Sequence, residues 1–315
     1  MERVRSLRGI RTALALAVVA AVGPFSQRVY GAGVQVSLAS SFNANDILRY
    51  SGGWATPTIS WDNSTPGGSV DNWLMTQSAA SQLASSQGLN SPAPVGINDN
   101  GLYTASGARL YDVQLGFTNA TPAGTNVVVR ANTPGNFTFS VPANYYSQFA
   151  IFGSSGSGST TLTITLTYGG GSPTVLSNVT LPDWYSGNPG GSAAGAAGTV
   201  FALTPAMSRQ AAYSFPSGGY QVPNVSGAGA YIFGVNLAPD STRQLTSVQV
   251  AYAWPGEGSS YTVANFLAAA GALASPPVTP TPAPGTWILL LTGLLTAGGF
   301  LLRKRWARTF QAGSR

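Results

Sequence analysis

The sequence predicts an all-β fold, an antiparallel β-sandwich, and the hairpin-like residues 160–185 carry most of that prediction. Residues 160–168 read TTLTITLTY, in which apolar and threonine side chains alternate strictly. A period of two with polar β-branched residues on one face is typical of a half-buried antiparallel strand. The sequence Gly-Gly-Gly-Ser-Pro at residues 169–173 predicts a turn, and residues 174–181 predict the returning strand.

Regularly spaced strand-like runs support the same fold class. Gly, Pro, Asn and Ser separate these runs, as turns do in sandwiches and barrels, and only residues 75–89 are expected to form a short helix. Within residues 109–118 four apolar side chains are expected on one face: Tyr111, Val113, Leu115 and Phe117. The other predicted strands are residues 34–38, 126–131, 136–141, 148–153, 199–203, 210–215, 230–237, 245–254 and 261–270.

The two ends of the chain predict its cellular localisation. Residues 1–32 are expected to be a signal peptide, cleaved after Gly31 or Ala32, with an uncleaved N-terminal anchor as the alternative. A Pro-rich linker, residues 275–286, precedes the charge-free run 287–302, which is close to the length of a membrane-spanning helix. The basic tail, residues 303–315, stays in the cytoplasm by the positive-inside rule, so the β-sandwich ectodomain, residues 33–274, faces outward.

Charge and residue usage exclude several functions. Residues 33–274 hold five arginines and no lysine against eight acidic residues, so this region does not indicate a nucleic-acid interface. The chain has no histidine and no cysteine, which excludes a Ser-His-Asp triad, thiolate chemistry and the usual zinc ligands. Asp183 and Glu257 are the one carboxylate pair considered for glycoside hydrolysis, and no pattern joins them, so the chain is expected not to be an enzyme.

Tryptophans in predicted loops are the candidate binding residues. A sugar ring presents an apolar C–H face, which an exposed indole beside Asn and Asp side chains can bind. The alternative is that each indole packs against the sandwich and covers its core. The carbohydrate-binding candidates are Trp54, Trp61, Trp73 and Trp184.

One loop carries oxygen ligands of the kind that calcium prefers. Asn98, Asp99 and Asn100 could contribute to the 6–8 oxygens of a structural Ca²⁺ site. The spacing does not match an EF-hand, and Asn-Asp-Asn-Gly is equally suited to a tight turn. No other cofactor is predicted.

The C-terminal end resembles a PEP-CTERM sorting signal. Such signals combine a proline motif, a short transmembrane segment and a basic end, and the resemblance implies recognition by an exosortase in Gram-negative bacteria that make extracellular polysaccharide. The family's central glutamate is replaced by alanine in this chain. The matching residues are Pro282, Ala283, Pro284, Trp287, Arg303, Lys304 and Arg305.

A second resemblance covers parts of the ectodomain. Phe42-Asn43, the loop at residues 96–103, the strand end Leu166-Thr167-Tyr168 and Pro182-Asp183-Trp184 follow in the order found in galactose-binding-like jelly-roll modules. That resemblance implies a jelly-roll sandwich with a role in carbohydrate binding or structural support.

Together these observations predict an exported surface protein. It is expected to be anchored in the inner membrane by the C-terminal helix, or released to the cell surface or extracellular matrix after processing. Its expected partners are an exosortase-type enzyme, the inner membrane and extracellular polysaccharide, and not nucleic acid. A purely structural surface protein without a ligand is the alternative, and an unrecognised glycoside hydrolase is a third.

Overall fold

The computed structural model describes residues 33–57, 59–62, 71–86, 95–131, 135–207, 210–212, 220–221, 229–252 and 263–275. The chain divides into two compact units, Met1–Ala274 and Ser275–Arg315. The predicted signal peptide, the predicted membrane segment 287–302, the basic tail and the sorting-signal residues lie outside the described residues. Within the described ranges, no helix is long and apolar enough to cross a membrane.

The described residues are mostly β-strand, which confirms the predicted all-β class. One α-helix, α1, spans Gln77–Ser86, inside the predicted helical stretch. The strands are β1 (Val34–Val36), β2 (Ile47–Tyr50), β3 (Trp54–Ala55), β4 (Asp71–Met75), β5 (Leu102–Tyr103), β6 (Val113–Gln114), β7 (Val129–Ala131), β8 (Gly135–Asn144), β9 (Tyr146–Gly156), β10 (Thr160–Tyr168), β11 (Thr174–Leu181), β12 (Val200–Ala202), β13 (Gln210–Ala212), β14 (Tyr220–Gln221), β15 (Phe233–Asn236), β16 (Leu245–Tyr252) and β17 (Val263–Leu273).

The hairpin expected from the sequence is present as β10 and β11. Leu162 and Ile164 are buried and Thr161 and Thr163 are exposed, which confirms the alternation. The two strands pair antiparallel with a register shift opposite residues 162–164. Asn178, with φ of 57°, lies in the extra residues on β11, as expected for a β-bulge.

Two large antiparallel sheets enclose the main core. The four-stranded sheet has the order β11-β10-β16-β8, and the six-stranded sheet has the order β1-β17-β9-β15-β12 with β7 also paired to β17. Apolar side chains from both sheets meet in one cluster because each strand sends alternate residues to the same side. That cluster includes Phe149, Ile151, Leu162, Ile164, Leu166, Val248, Val250 and Phe266.

The six-stranded sheet is buried on its other face as well. Nearly every residue of β9 and β17 is buried, and strands covered on both faces lose the alternation of polar and apolar residues. On this second face, Phe152 and Leu267 pack with Trp61 and Trp184 from loops. Loops, together with Ile47 of β2 and Leu74 of β4, therefore form a third layer over the sheet.

A smaller assembly of strands carries the helix. β2 pairs antiparallel with β3 and parallel with β4. Helix α1 packs Ala79, Ala80 and Leu83 against Leu48 and Met75 of these strands. The polar residues of α1 consequently face away from this small core.

The strand predicted at residues 109–118 is wrong in extent but right in its buried face. Only β6 has strand pairing there, yet all four predicted apolar side chains are buried. The guanidinium group of Arg109 donates to the carbonyl oxygens of Tyr103, Thr104 and Tyr111. These side-chain hydrogen bonds satisfy carbonyl groups that a regular strand ladder would otherwise use.

Candidate functional site

The four candidate tryptophans have different environments. Trp61, Trp184 and Trp73 are buried, with 0%, 1% and 5% of their surface exposed, whereas Trp54 is partly exposed. A sugar needs an accessible ring face. Of the four, Trp54 is therefore the indole whose surroundings suit a ligand.

Trp61 and Trp184 form a pair inside the protein. Their ring centroids lie 5.9 Å apart with an interplanar angle of 34°. The indole nitrogen of Trp184 donates to Asp62 Oδ1 over 2.6 Å, so its polar atom is satisfied without solvent. Trp73 likewise donates from its indole nitrogen to the carbonyl oxygen of Ile59 at 2.9 Å. The packing alternative describes these three indoles.

Trp54 lies at the end of a tight hairpin. β2 and β3 are joined by Ser51-Gly52-Gly53, and Gly52 has φ of +80°, a conformation that glycine adopts without strain. Tyr50 and Trp54 are direct partners in the register, so their side chains share one face. The ring centroids are 4.8 Å apart, with an interplanar angle of 57°.

A solvent-open groove runs from Tyr50, the partner of Trp54 in this pair, along α1. It has a volume of about 380 Å³, within the range of about 300–1,000 Å³ that is usual for ligand pockets. Serines and glutamines line the helix side, and the β2–β3 hairpin lines the other. The lining residues are Tyr50, Ser51, Gly52, Gln77, Ser78, Ser81, Gln82, Ser85 and Asn119.

Asn119 holds the hairpin wall of the groove in place. Its side-chain oxygen accepts from the Tyr50 backbone N–H at 2.9 Å and from the Thr76 hydroxyl at 2.7 Å. Its amide nitrogen donates to the Tyr50 carbonyl oxygen. Asn119 thus pairs with Tyr50 as a neighbouring strand would, and the tyrosine ring is held beside α1.

The predicted calcium ligands form a turn that supports the same helix. Asp99 accepts from the backbone N–H and the hydroxyl of Ser78, at 2.8 and 2.5 Å, which caps the N-terminus of α1. The Asn98 amide donates to the Leu102 carbonyl oxygen, and Asn100 Oδ1 accepts from the Leu102 N–H. In the described part of the chain no group of three or more Asp or Glu side chains could hold a metal ion. The turn alternative accounts for the hydrogen bonds of all three residues.

A buried ion pair lies beneath the Trp61 segment. Asp46 and Arg130 are both almost fully buried, with Asp46 Oδ2 3.7 Å from Arg130 Nη1. Arg130 Nη1 also donates to the Ser60 carbonyl oxygen at 2.5 Å. Burial raises the pKa of the Asp46 carboxyl to about 7, although Arg130 acts in the opposite direction.

Asp183, one half of the carboxylate pair considered for catalysis, has a local structural role. It accepts backbone hydrogen bonds from Gly158 and from Tyr185, the latter at 2.8 Å. The other half, Glu257, lies outside the described residues. The Asp183 carboxylate thereby joins the β9–β10 turn to the segment that carries Trp184.

Sequence reasoning missed most of the groove. Tyr50 was overlooked, although aromatic residues on both sides of Ser-Gly-Gly are a hairpin signal that would place them opposite each other. Gln82 and Asn119 gave no signal, because a glutamine in a helix or an asparagine in a loop usually only contacts water. Asp46 and Arg130 likewise became partners only through the fold.

Comparison with known protein families, with curated proteins and with solved structures finds no match for this chain.

Proposed function

We propose that this chain is an exported surface protein whose β-domain binds carbohydrate through the groove at Tyr50 and Trp54. In this proposal the domain has the jelly-roll arrangement of galactose-binding-like modules, and the chain is held in the inner membrane or released after processing near extracellular polysaccharide. The observation that carries the binding function is a partly exposed indole, Trp54, packed against Tyr50, which itself lines a polar groove.

The groove combines the two features that sugar recognition needs. The Tyr50–Trp54 pair offers aromatic surface to the C–H face of a sugar ring. Hydroxyl and amide groups along α1 can exchange hydrogen bonds with sugar hydroxyls. Neither feature depends on Trp61, Trp73 or Trp184.

The position of the domain's ends supports export and anchoring. β1 and β17 pair antiparallel with Val34 opposite Gly271, so the chain enters and leaves the domain at neighbouring points. The residues before β1 hold the predicted signal peptide, and those after β17 hold the predicted linker and membrane segment. A domain whose ends are adjacent suits a chain held to a membrane at one point.

A purely structural role is the second candidate. The burial of Trp61, Trp73 and Trp184 favours it, because three of the four candidate indoles pack in the core. In that case Tyr50 and Trp54 would cover the small core under α1, against which both already pack.

A glycan array with the full-length protein, in a detergent without a sugar headgroup, separates the two. We expect binding by the unmodified protein, loss of binding in Trp54→Ala and retained binding in Tyr185→Ala. Tyr185 is a matched control because it is an exposed aromatic residue outside the groove. Absence of any glycan signal from the folded protein would favour the structural role.

The cellular localisation and C-terminal processing of the protein are tested separately, by cell fractionation and by mass spectrometry of the C-terminus. A chain ending near Pro284 and found outside the cell would support sorting even though alanine occupies position 283. A full-length chain in the inner membrane would reject exosortase processing and leave an anchored ectodomain.

A further inference from the structure

We propose that the groove along α1 takes an uncharged glycan and discriminates against acidic polysaccharides. This inference rests on the proposed carbohydrate function and goes further, because it names the substrate class. It follows from the charges, the hydrogen-bonding groups and the aromatic surface around the groove.

None of the described residues that line the groove carries a charge. They comprise serine, glutamine, asparagine, tyrosine and glycine. Carboxylate and sulfate groups on glycans are usually bound by arginine or lysine, which supply charge and several donors. An acidic sugar would therefore lose hydration in the groove without gaining a cationic partner.

Arg49, next to Tyr50 in β2, does not supply that cation. Its side chain is buried, and the guanidinium donates to Asn45 Oδ1 at 2.9 Å and to the Pro122 carbonyl oxygen at 3.1 Å. Since alternate residues of a strand point to opposite faces, the Arg49 side chain lies on the other side of β2 from the Tyr50 ring.

The N-terminus of α1 would ordinarily favour an anion at this end of the groove. Asp99 already occupies that position, with its two carboxylate oxygens on the N–H and hydroxyl of Ser78. Its negative charge compensates the partial positive charge of the helix end. A second anion in the groove would meet repulsion from Asp99 rather than attraction from the helix.

The helix presents neutral donors and acceptors at a regular spacing. Ser78, Ser81, Gln82 and Ser85 follow the i, i+3, i+4, i+7 pattern that places side chains on one helix face. Among the described residues, the Ser81 hydroxyl and the Gln82 amide make no hydrogen bond, and both border the groove. An amide both donates and accepts, as sugar hydroxyls do. The groove therefore matches a hydroxyl-bearing ligand better than a carboxylate.

The experiment compares two classes of polymer on the full-length protein at low and high salt. Affinity electrophoresis uses dextran, galactomannan, xylan and starch as neutral probes, and alginate and polygalacturonate as acidic probes. We expect at least one neutral polymer to bind with an affinity that does not change with salt, and Gln82→Ala to weaken it about tenfold. Acidic polymers should not retard the protein.

Gln82→Lys sharpens the test by adding a cation to the groove. It should create salt-sensitive binding of the acidic polymers, whereas Thr163→Lys, on the exposed face of β10, should not. Acidic polymers that bind the unmodified protein as well as neutral ones, with loss in Trp54→Ala, would overturn the inference and keep the carbohydrate function. Failure of every polymer to bind would overturn both.

Discussion

Two aromatic pairs in this protein differ in how far they are buried. Trp61 and Trp184 are sealed inside the protein, 5.9 Å apart, with the Trp184 nitrogen on Asp62. The Tyr50 and Trp54 rings lie 4.8 Å apart, tilted by 57°, on the end of a hairpin; both remain partly exposed, and Tyr50 lines a neutral groove. Both tryptophans of the first pair and Trp54 come from Gly-, Ser- or Pro-rich stretches, so local composition does not separate them.

The difference lies in what covers each pair. The six-stranded sheet is buried on two faces, and the Trp61–Trp184 pair belongs to the layer over its second face. The Tyr50–Trp54 pair covers a small core of Leu48, Met75 and α1 residues, and no third layer of described residues encloses it. An aromatic ring at the edge of a small core keeps part of its face available for a ligand.

The largest expected effect is a loss of stability on substitution in the buried Trp61–Trp184 pair. Trp184→Ala should lower the free energy of unfolding by about 3–5 kcal/mol, because it leaves a cavity and removes one hydrogen-bond donor to Asp62. Urea unfolding followed by circular dichroism measures the loss. If the variant proves too unstable to purify, Trp184→Phe should show a smaller loss with the same sign. A value near zero for either variant would contradict the buried position.

Solution pH should change the stability that Asp46 contributes in the buried region, and it should leave glycan binding in the groove unchanged. The pKa of Asp46 is raised to about 7 in the folded protein, against an ordinary value near 3.8. Between about pH 4 and pH 7 the folded state therefore keeps a proton that the unfolded state has lost, so this group's contribution to stability declines as pH rises through that window.

Asp46→Asn should remove that part of the pH dependence. Urea midpoints of the unmodified protein and the variant, taken across pH 4–8, isolate the contribution of Asp46 from those of the other carboxyl groups. Exposed Asp240 offers the control, since Asp240→Asn removes a carboxyl whose pKa is lowered by hydrogen bonds from Thr242. An unchanged pH profile in Asp46→Asn would refute the assignment. Glycan affinity should stay constant over the same range, because the described side chains that line the groove are all uncharged.

Substitution in the partly exposed Tyr50–Trp54 pair should reduce stability only a little and abolish binding. Trp54→Ala should lower the free energy of unfolding by about 1–2 kcal/mol. This loss is smaller than that expected for Trp184→Ala, because only part of the Trp54 ring packs against the small core. Glycan binding should fall below detection in the same variant, measured by affinity electrophoresis on protein shown to be folded by circular dichroism. Equal losses of stability in Trp54→Ala and Trp184→Ala would erase the distinction between the pairs.

The smallest change concerns the Tyr50 hydroxyl. Tyr50→Phe keeps the ring beside Trp54 and should change stability by less than about 0.5 kcal/mol. If the hydroxyl contacts the sugar, the dissociation constant should rise about five- to tenfold, as for loss of one neutral hydrogen bond. Isothermal titration with the best neutral polymer measures the change, and a large stability loss would show that the hydroxyl is structural.

The sequence alone predicted several regular parts of the fold correctly but missed β2, β3 and β4. The β10–β11 hairpin and α1 appeared where the patterns placed them, because a period of two and turn residues act on immediate neighbours. The extent of the strand at residues 109–118 was wrong: only β6 pairs there, and the Arg109 side chain takes the carbonyl group of Tyr111. The candidate site was predicted only in part, through Trp54.

The all-β class and the buried faces of the long strands are thus determined by the sequence itself. Only the tertiary structure decided which tryptophans are buried and which one stays partly exposed beside a tyrosine that lines a groove. The contact that satisfies Trp184 joins it to Asp62 across 122 residues, and Asn119 holds Tyr50 across 69 residues. Burial of a loop side chain depends on which distant segments pack over it, and no local pattern encodes that choice.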